Sequence, residues 1–426
     1  MEKLPVEELK GMQYKQLKTL VYKLYSFSEF YHDRMKAARV HPDDIQCLAD
    51  VTKLPFMRKS DLRDNYPDKL FVTPRDDVVR FHASSGTTGK STVVGYTQND
   101  LDVWSNSLAR ALTSCGIGRG DTMQVSYGYG LFTGGLGLHY GSERVGAAVL
   151  PASVGNTERQ IELMKDMNVT AIACTPSYLL HMGEIAERIG IDFKRDTKLR
   201  KAVLGAEPWS EKMRKRIEND LGIKAYDIYG TSELSGPLCT ECSIQKGIHI
   251  WSDMALIEIL DPETNEPVAP GEKGELVVTM LQKEALPIIR YKVGDITTMD
   301  EEVCECGRTH PRIGRIQGRV DDMLIIRGIN VFPSQIEHTL MSIPEVGAHF
   351  MIEVDRKGEL DDILVRVEIK KEYFSDKIND LMKIKHKVAS ALRSSLNVAV
   401  EVELANPDSL PRFDGKAKRV IDRRKI

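Results

Sequence analysis

Apolar and polar positions repeat with two different periods along this chain. Near the N terminus, residues 17, 20, 21 and 24 are apolar and lie on one face of a helix, so residues 1 to about 45 predict helices. The segment Leu54-Pro55-Phe56 interrupts this period, and Ser60 is typical of the start of another helix. From Val78 onward, short apolar runs typical of buried strands alternate with helical stretches.

This alternation predicts parallel βαβ units. The predicted strands are 120–127, 146–151, 169–176 and 201–205, and the predicted helices are 101–115, 157–167 and 177–189. After Ile248 the pattern changes to apolar runs separated by a Pro- and Gly-rich turn, which indicates antiparallel strands. After Gly318, strands at 323–326, 364–369 and 398–404 and helices from Ser334 and over 378–392 predict a small α+β unit.

The predicted fold class is therefore α/β, with a large N-terminal domain over residues 1–318 and a small α+β domain over 319–426. The N-terminal domain would combine parallel sheets flanked by helices with an antiparallel, β-barrel-like subdomain at about 240–318. The chain has 426 residues, a length at which more than one domain is expected.

Charge and composition exclude several classes of protein. The 59 Lys and Arg residues nearly balance the 62 Asp and Glu residues, so the chain has no electrostatic footprint for nucleic acid or an acidic membrane. No apolar run reaches the roughly 20 residues that span a bilayer, and the N terminus lacks an apolar signal core. Seven cysteines, an odd number, favour a reducing compartment over a disulfide framework. We therefore expect a cytoplasmic protein.

Residues 84–91, Ser-Ser-Gly-Thr-Thr-Gly-Lys-Ser, carry the strongest local signal. Glycines allow backbone N–H groups to approach phosphate oxygens, and the hydroxyls and Lys90 add further donors. The segment is not a Walker loop, because Ser84 occupies the position of that motif's first glycine. The structural alternative is a flexible Gly/Thr turn.

Two short clusters of cysteine and histidine predict a tetrahedral zinc site with a structural role. Their members are Cys239, Cys242, His249, Cys304 and Cys306, which is one ligand more than zinc needs. A site without metal is the alternative. Cys47, Cys115 and Cys174 have apolar neighbours, and we expect them in the core.

Taken together, these motifs resemble those of adenylate-forming enzymes, the acyl-CoA synthetase superfamily. The segments that resemble its motifs, in the superfamily's order, are 84–90 (phosphate loop), 205–208 (adenine side), 227–233 (second signature), 291–295 (ribose side) and 318–322 (hinge). The stretches 62–67, 92–97, 127–135, 155–160 and 323–337 are similar to those of phenylacetate–coenzyme A ligases, along nearly the whole chain.

The resemblance implies two half-reactions with ATP, Mg²⁺ and CoA. An aryl acid would form an acyl adenylate and release pyrophosphate, and the CoA thiol would then displace AMP. The nucleotide-binding residues that it implies are Ser84, Ser85, Gly86, Thr88, Gly89, Lys90, Gly205, Ala206, Glu207, Pro208, Asp227, Tyr229, Gly230, Thr231, Asp295 and Arg319. Tyr229 would stack on adenine, and Asp295 would accept hydrogen bonds from the ribose hydroxyls.

Glu233 matches the carboxylate that holds Mg²⁺, with Thr87 as a hydroxyl contact. The structural alternative for Glu233 is a partner in helix capping after Thr231. Asp295 could instead cap a turn, and Arg319 could form a surface salt bridge.

Near the C terminus, residues 411–419 resemble the loop that carries the superfamily's catalytic lysine, which the motif assigns to Lys416. Lys418 is the competing assignment, and a solvated basic tail is the structural alternative. Because the two half-reactions need different groups at one site, the C-terminal domain is expected to move about Asp321. Gly328 would then let the pantetheine arm of CoA pass.

The acyl pocket is assigned to Tyr127, Tyr129, Phe132 and Gly134, an aromatic wall that suits a flat acid. A strand end with core aromatic residues is the alternative. The resemblance favours Cys242, His249, Cys304 and Cys306 as zinc ligands, with Cys239 in place of His249 as the alternative, and implies a homodimer. Ser153-Val154-Gly155 and Cys239 depart from the family pattern, which leaves phenylacetate, a hydroxylated or indole analogue, and benzoate open as substrates.

Two other functions compete with aryl-acid ligation. The first is adenylation of a cofactor such as a deazaflavin, without thioester formation. The second is a non-catalytic protein that binds ATP or zinc. Against the second stands the joint presence of Lys90, Glu233, Asp295, Arg319 and Lys416.

Overall fold

The computed structural model describes residues 1–84, 92–320, 324–327, 329–357, 360–374, 377–413 and 418–424. Its helices are α1 Val6–Phe27, α2 Glu29–Ala37, α3 Lys59–Asp64, α4 Gln98–Ser114, α5 Gly134–Arg144, α6 Thr157–Asp166, α7 Pro176–Arg188, α8 Phe193–Asp196, α9 Glu211–Leu221, α10 Pro333–Leu340 and α11 Ile378–Leu396. Within these residues, no helix is both long and apolar enough to cross a lipid bilayer.

The strands are distributed over the rest of the chain. They are β1 Arg80–Ser84, β2 Thr92–Tyr96, β3 Thr122–Val125, β4 Ala148–Leu150, β5 Ala171–Cys174, β6 Lys201–Gly205, β7 Lys224–Thr231, β8 Gly236–Glu241, β9 Ile248–His249, β10 Ala255–Leu260, β11 Gly274–Met280, β12 Tyr291–Thr297, β13 Met299–Asp300, β14 Arg312–Ile313, β15 Gly318–Arg319, β16 Leu324–Ile326, β17 Ile329–Val331, β18 Val346–Lys357, β19 Leu360–Ile369, β20 Glu401–Ala405 and β21 Val420–Asp422.

The chain divides into two compact units that are not continuous in sequence. The first unit comprises Met1–Ser153, Thr170–Ala173 and Tyr226–Gly314, and the second comprises Val154–Val169, Cys174–Ala225 and Arg315–Ile426.

The first unit contains both types of sheet that the sequence predicts. Strand β3 pairs in parallel with β4 and β5, as expected for βαβ connections. Strands β7, β8, β9, β14 and β13 follow one another as antiparallel neighbours. Strands β10, β11 and β12 form a separate antiparallel ladder, which confirms the change of character after residue 248.

Within the second unit, residues 324–402 have a hydrophobic core of their own. A four-stranded sheet of order β20-β19-β18-β21 packs with α10 and α11. Ile326, Ile336, Val365 and Leu392, on four different elements of this region, are fully buried. This is the small α+β unit that the sequence predicts, although β18, its longest strand, and β21 are missing from the prediction.

Two further features differ from the expectations. Cys115 and Cys174 are buried as predicted, but the prediction for Cys47 is wrong, because this residue is exposed. It precedes the short 3₁₀ segment Leu48–Lys53, where its backbone N–H donates to Asp50, so apolar neighbours in sequence did not bring it into the core. The glycine-rich stretch after Phe132 forms helix α5, which the periodicity did not predict.

Candidate functional site

The second-signature segment lies in a tight hairpin between β7 and β8. A Cβ atom added to Gly230 would stand 2.0 Å from the carbonyl oxygen of Gly236, so only glycine fits this close approach. The chain then forms a short 3₁₀ turn over Ser232–Leu234, followed by Ser235 with a φ of 72°. Asp227 is buried on β7, three residues before Gly230, and its backbone N–H donates to Glu241 Oε2.

Glu233 is buried, and its carboxylate contacts the strand that follows the phosphate-loop segment. Thr92 Oγ1, at the start of β2, donates to Glu233 Oε1 at 3.2 Å. The capping alternative is wrong, because Thr231 stands at the cap of the 3₁₀ turn without a side-chain capping bond. Thr231 Oγ1 is buried and has no hydrogen-bond partner within the described part of the chain, so this hydroxyl is suited to a ligand.

Lys283 is a fully buried lysine that the sequence did not single out. Its Nζ donates to the carbonyl oxygen of Glu233 at 2.7 Å and lies 5.2 Å from the centre of the Tyr96 ring. Burial lowers the pKa of Lys283 to about 8, while the carboxylates of Asp100 and Glu233 oppose this shift. The lysine therefore places a cation behind the turn that carries Glu233. The sequence gives no local signal for this contact, because Lys283 stands between the polar residues Gln282 and Glu284 and is 50 positions from Glu233.

Tyr229, on β7, contacts Asp295, on β12. The Tyr229 hydroxyl donates to Asp295 Oδ2 at 2.6 Å, which fixes the orientation of the buried carboxylate. Asp295 lies inside β12, so it does not cap a turn. The structure thus brings together an aromatic ring and a carboxylate that the family resemblance assigns to adenine and ribose.

The segment 205–208 belongs to the second unit and begins at the last residue of strand β6. Ala206 has a φ of 69°, a left-handed conformation that costs a non-glycine residue about 1–2 kcal/mol. Glu207 Oε1 accepts a hydrogen bond from the backbone N–H of Ser177 at 2.8 Å, whereas its buried Oε2 has no partner within the described residues. Strain and an unsatisfied buried carboxylate oxygen are features common at ligand sites. Arg319 is half-buried on β15 of the same unit.

Among the four residues assigned to the acyl pocket, Phe132 and Gly134 contact each other. Tyr127 is buried, and the Tyr129 hydroxyl lies 3.3 Å from His139 Nδ1 on α5. The exposed Phe132 ring packs on Gly134, where an added Cβ would stand 2.8 Å from the ring. Gly134 therefore accommodates an aromatic ring of the chain itself.

Several predicted residues lie outside the described residues. They are Ser85, Gly86, Thr87, Thr88, Gly89, Lys90, Asp321, Gly328 and Lys416. Ser84 is the last residue of β1, which pairs antiparallel with β2 so that Ser84 is opposite Thr92. The described residues on either side of 85–91, Ser84 and Thr92, are therefore paired, and Thr92 contacts Glu233.

Four of the five predicted metal ligands come together in the first unit. One ligand atom from each of Cys242, His249, Cys304 and Cys306 lies within 4.8 Å of the others. Cys242 Sγ is 3.8 Å from Cys304 Sγ, and Cys306 Sγ is 3.6 Å from His249 Nε2. A tetrahedral zinc ion with Zn–S bonds of about 2.3 Å separates two sulfur ligands by about 3.8 Å, and a sulfur and a nitrogen by slightly less.

Strand pairing explains why His249, and not Cys239, joins this group. Thr240 on β8 pairs with His249 on β9, and the adjacent Cys239 side chain points to the opposite face of the sheet. Burial lowers the pKa of His249 to about 4, aided by the charge of Arg308, so its imidazole is neutral and able to bind a metal. Cys304 and Cys306 lie in a tight turn in which Gly307 donates its N–H to the Cys304 carbonyl. These four residues fit a zinc ion.

Comparison with known proteins gives the same picture over the whole chain. Residues 33–280 match the family model of AMP-binding enzymes, and residues 328–424 match that of the AMP-binding enzyme C-terminal domain. The chain is 45% identical over 440 residues to phenylacetate–coenzyme A ligase of Thermus thermophilus, covering 100% of this chain and 99% of that protein. It is 46% identical over 428 residues to the phenylacetate–coenzyme A ligase of Escherichia coli, covering 100% of this chain and 97% of that protein.

A solved relative matches in more than one state. The crystal structure of 2-hydroxyisobutyryl-CoA ligase in the postadenylation state with 2-HIB-AMP has a TM-score of 0.94 at 29% identity, covering 99% of this chain and 91% of the other. The same enzyme with 2-HIB-AMP and CoA in the thioesterification state has a TM-score of 0.73. The fold is the adenylate-forming fold, and the chain belongs to the AMP-binding enzyme family, among the phenylacetate–coenzyme A ligases.

Proposed function

We propose that this chain is an ATP-dependent phenylacetate–CoA ligase that works through an acyl-AMP intermediate. In the first half-reaction a carboxylate oxygen of the acid attacks the α-phosphorus of ATP, and the bond to the β-phosphate breaks to release pyrophosphate. In the second, the CoA thiolate attacks the acyl carbon and AMP leaves. The observation that carries this proposal is the identity of about 45% to phenylacetate–CoA ligases over the full length of both chains.

The described contacts support a nucleotide site on the first unit. Tyr229 offers its ring to adenine, and its hydroxyl orients the Asp295 carboxylate toward the ribose diol. The buried Thr231 hydroxyl is a donor for a phosphate or ribose oxygen. Residues 84–90 would bind the polyphosphate through backbone N–H groups and Lys90.

Glu233 is assigned to Mg²⁺, which typically takes one or two protein carboxylates and the substrate's phosphates. The bond from Thr92 holds one carboxylate oxygen, and Lys283 holds the backbone of the same residue. A metal ligand fixed at two points loses less conformational entropy on binding. Mg²⁺ would neutralise the developing charge on the phosphates, which is the main requirement of this reaction.

The remaining roles follow from the family resemblance. Lys416 would bridge the acid and the α-phosphate in the first half-reaction, Asp321 would be the hinge, and Gly328 would accommodate pantetheine in the second. Tyr127, Tyr129, Phe132 and Gly134 would form the aryl pocket. The domain boundary at 318/319, the cytoplasmic location and the homodimer stay predictions, and light scattering of the purified protein would check the last.

A structural zinc ion held by Cys242, His249, Cys304 and Cys306 completes the proposal. The specific support is the pair of ligand separations, 3.8 Å and 3.6 Å, which are the edges of a zinc tetrahedron. All four positions are protein ligands, so the site is closed and supplies stability to the β8–β9 and β13–β14 region and not a reacting water.

The test is a product assay with ATP, Mg²⁺ and a panel of aryl acids, with and without CoA. Phenylacetate should give phenylacetyl-CoA, AMP and pyrophosphate in equal amounts. Benzoate, 4-hydroxyphenylacetate and indoleacetate should be poorer substrates. Pyrophosphate release from ATP when a deazaflavin is the acceptor, with no thioester from any aryl acid, would instead support cofactor adenylation. Absence of any product would leave only a binding function.

A further inference from the structure

Polar contacts join two segments within the second unit, the 174–225 segment and the C-terminal region that begins at Arg315. Helix α7 of the first segment lies beside strand β18 of the C-terminal region. Because the C-terminal region has its own hydrophobic core, its contacts with the first segment are not needed to bury that core. Contacts of this type can form and break without unfolding either partner.

Glu184, on α7, is the centre of one such contact. His349 Nε2, on β18, lies 3.2 Å from Glu184 Oε2 and 3.3 Å from Oε1. The guanidinium of Arg412 reaches the same carboxylate, with Nε 3.8 Å from Oε2. On its own helix, His181 Nδ1 is 3.6 Å from Oε2. Burial alone would raise the pKa of Glu184, but the two histidines and Arg412 hold it well below its usual range, so the carboxylate is ionised.

Arg412 connects this carboxylate to the segment that precedes Lys416. Its two terminal nitrogens donate to the two oxygens of the buried Glu368, each at 2.8 Å, in a bidentate pair. Nη1 also donates to the Leu410 carbonyl at 2.9 Å, and Nη2 to Asp408 at 3.3 Å. The guanidinium therefore fixes residues 408–412 to β19, and it also contacts Glu184, which lies outside the C-terminal region. Lys416 follows four positions later in the sequence.

We propose that Glu184 is a positioning residue for acyl-adenylate formation: through His349 and Arg412 it holds the segment that leads to Lys416, and it releases that segment for thioester formation. This inference rests on the proposed function, specifically on the role of Lys416. The relative's two states support the second clause, because this chain matches the postadenylation state with a TM-score of 0.94 and the thioesterification state with 0.73. A carboxylate that contacts a histidine and an arginine across a polar contact adds a favourable term to one arrangement only, as a positioning device requires.

The experiment compares Glu184→Gln with Glu187→Gln, which changes an exposed glutamate on the same helix. Each half-reaction is measured alone: pyrophosphate release in a single turnover without CoA, and phenylacetyl-CoA formation from supplied phenylacetyl-AMP and CoA. Glu184→Gln should slow adenylation by about 10- to 100-fold, mostly in kcat, since a misplaced catalytic group costs rate and not binding. It should leave the thioester half-reaction within about 2-fold of the wild-type rate. Glu187→Gln should leave both at the wild-type rate.

Two further variants separate positioning from folding. Glu184→Asp retains the charge and should recover part of the adenylation rate. Arg412→Lys is measured alone and combined with Glu184→Gln. The double variant should adenylate no more slowly than the slower single variant, because both residues act through one contact. Equal slowing of both half-reactions, or wild-type adenylation in a Glu184→Gln protein, would overturn the inference while leaving the proposed function intact. A wild-type protein that makes no phenylacetyl-AMP would instead overturn the proposed function.

Discussion

Glu337 offers a prediction whose magnitude follows from the structure. This residue on α10 is 3% exposed, and its Oε1 accepts a hydrogen bond from Ser210 Oγ at 3.0 Å. Burial raises the pKa of Glu337 from 4.5 to about 7, a shift that the charge of Arg419 opposes and that of Glu207 reinforces. The folded protein therefore binds a proton here that the unfolded chain loses at a lower pH.

The sign and size of the effect follow from proton linkage. With a pKa raised on folding, the full stability is present below about pH 4.5 and is lost as the pH rises through about 7. Each pKa unit corresponds to about 1.36 kcal/mol, so the loss in the free energy of unfolding reaches about 3 kcal/mol above neutral pH. This value is an upper limit, because α10 can separate from Ser210 and hydrate the ionised carboxylate.

The perturbation is Glu337→Gln, which retains the oxygen that accepts from Ser210 and cannot ionise. We expect equal thermal unfolding midpoints for variant and wild type at about pH 4, and a midpoint several degrees higher for the variant at about pH 8. Calorimetry at both values measures the difference. Glu372→Gln, which changes an exposed glutamate of the same region, is the control and should follow the wild type at both values. Parallel pH dependence of Glu337→Gln and wild type would refute the assignment of a buried, largely protonated acid.

The other predictions concern the reacting groups and the metal. Lys416→Ala should slow acyl-adenylate formation by about 100- to 1,000-fold; thioester formation from supplied adenylate should survive, and equal loss of both rates would contradict the role. Glu233→Gln should raise the Mg²⁺ concentration for half-maximal adenylation about 10-fold or more; an unchanged Mg²⁺ titration would remove Glu233 from the metal shell. Cys304→Ser should lower zinc from about one ion per chain to near zero and lower the unfolding midpoint, with turnover per folded molecule retained. Cys47→Ser, at an exposed cysteine, is its control. A folded wild-type protein without metal would disprove the zinc site.

Elements with a regular period could be predicted from the sequence, because burial follows that period. Helices α4, α7 and α11 begin and end within a few residues of their predicted bounds. Strand β18 was missed because its run contains Gly347, His349 and charged residues. It is buried through pairing with β19, the next strand along the chain, and with β21, which is more than 60 residues away. Tertiary pairing of this kind overrides local pattern.

Helix α5 was missed for the opposite reason, since its glycines argue against a helix. In the structure these glycines permit contact with α4: a Cβ on Gly141 would stand 2.4 Å from Leu108 Cβ, and one on Gly137 would stand 2.7 Å from the Trp104 ring. The low helix propensity of glycine, about 1 kcal/mol per residue, is offset by close packing that a larger residue would prevent. A sequence shows the propensity of a residue but not the neighbour that it will meet.

The same limit applies to the functional residues. Glu233 and Tyr229 belong to one short motif, 227–233, and the cysteines to two short clusters, so local patterns predict these residues. Lys283, 50 residues from the Glu233 carbonyl, belongs to no such motif. Neither does Glu184, whose partner Arg412 is 228 residues away. Only the fold brings these charges together.

Two carboxylates of the second unit show how the contact with the C-terminal region is balanced. Glu184 is ionised and contacts His349 and Arg412. Ionisation of Glu337, which is buried beside Ser210, instead lowers the free energy of unfolding of the protein. An apolar contact would stabilise the joined segments by about 25 cal/mol for each Å² of surface buried. That free energy would be lost whenever the segments separate and the surface is exposed to water. Polar groups keep most of their hydrogen bonds by exchanging partners for water, so the net difference between the joined and separated states stays small. A ligase that uses one site for two reactions needs a small difference of this kind, because a strongly favoured arrangement would speed one half-reaction and block the other.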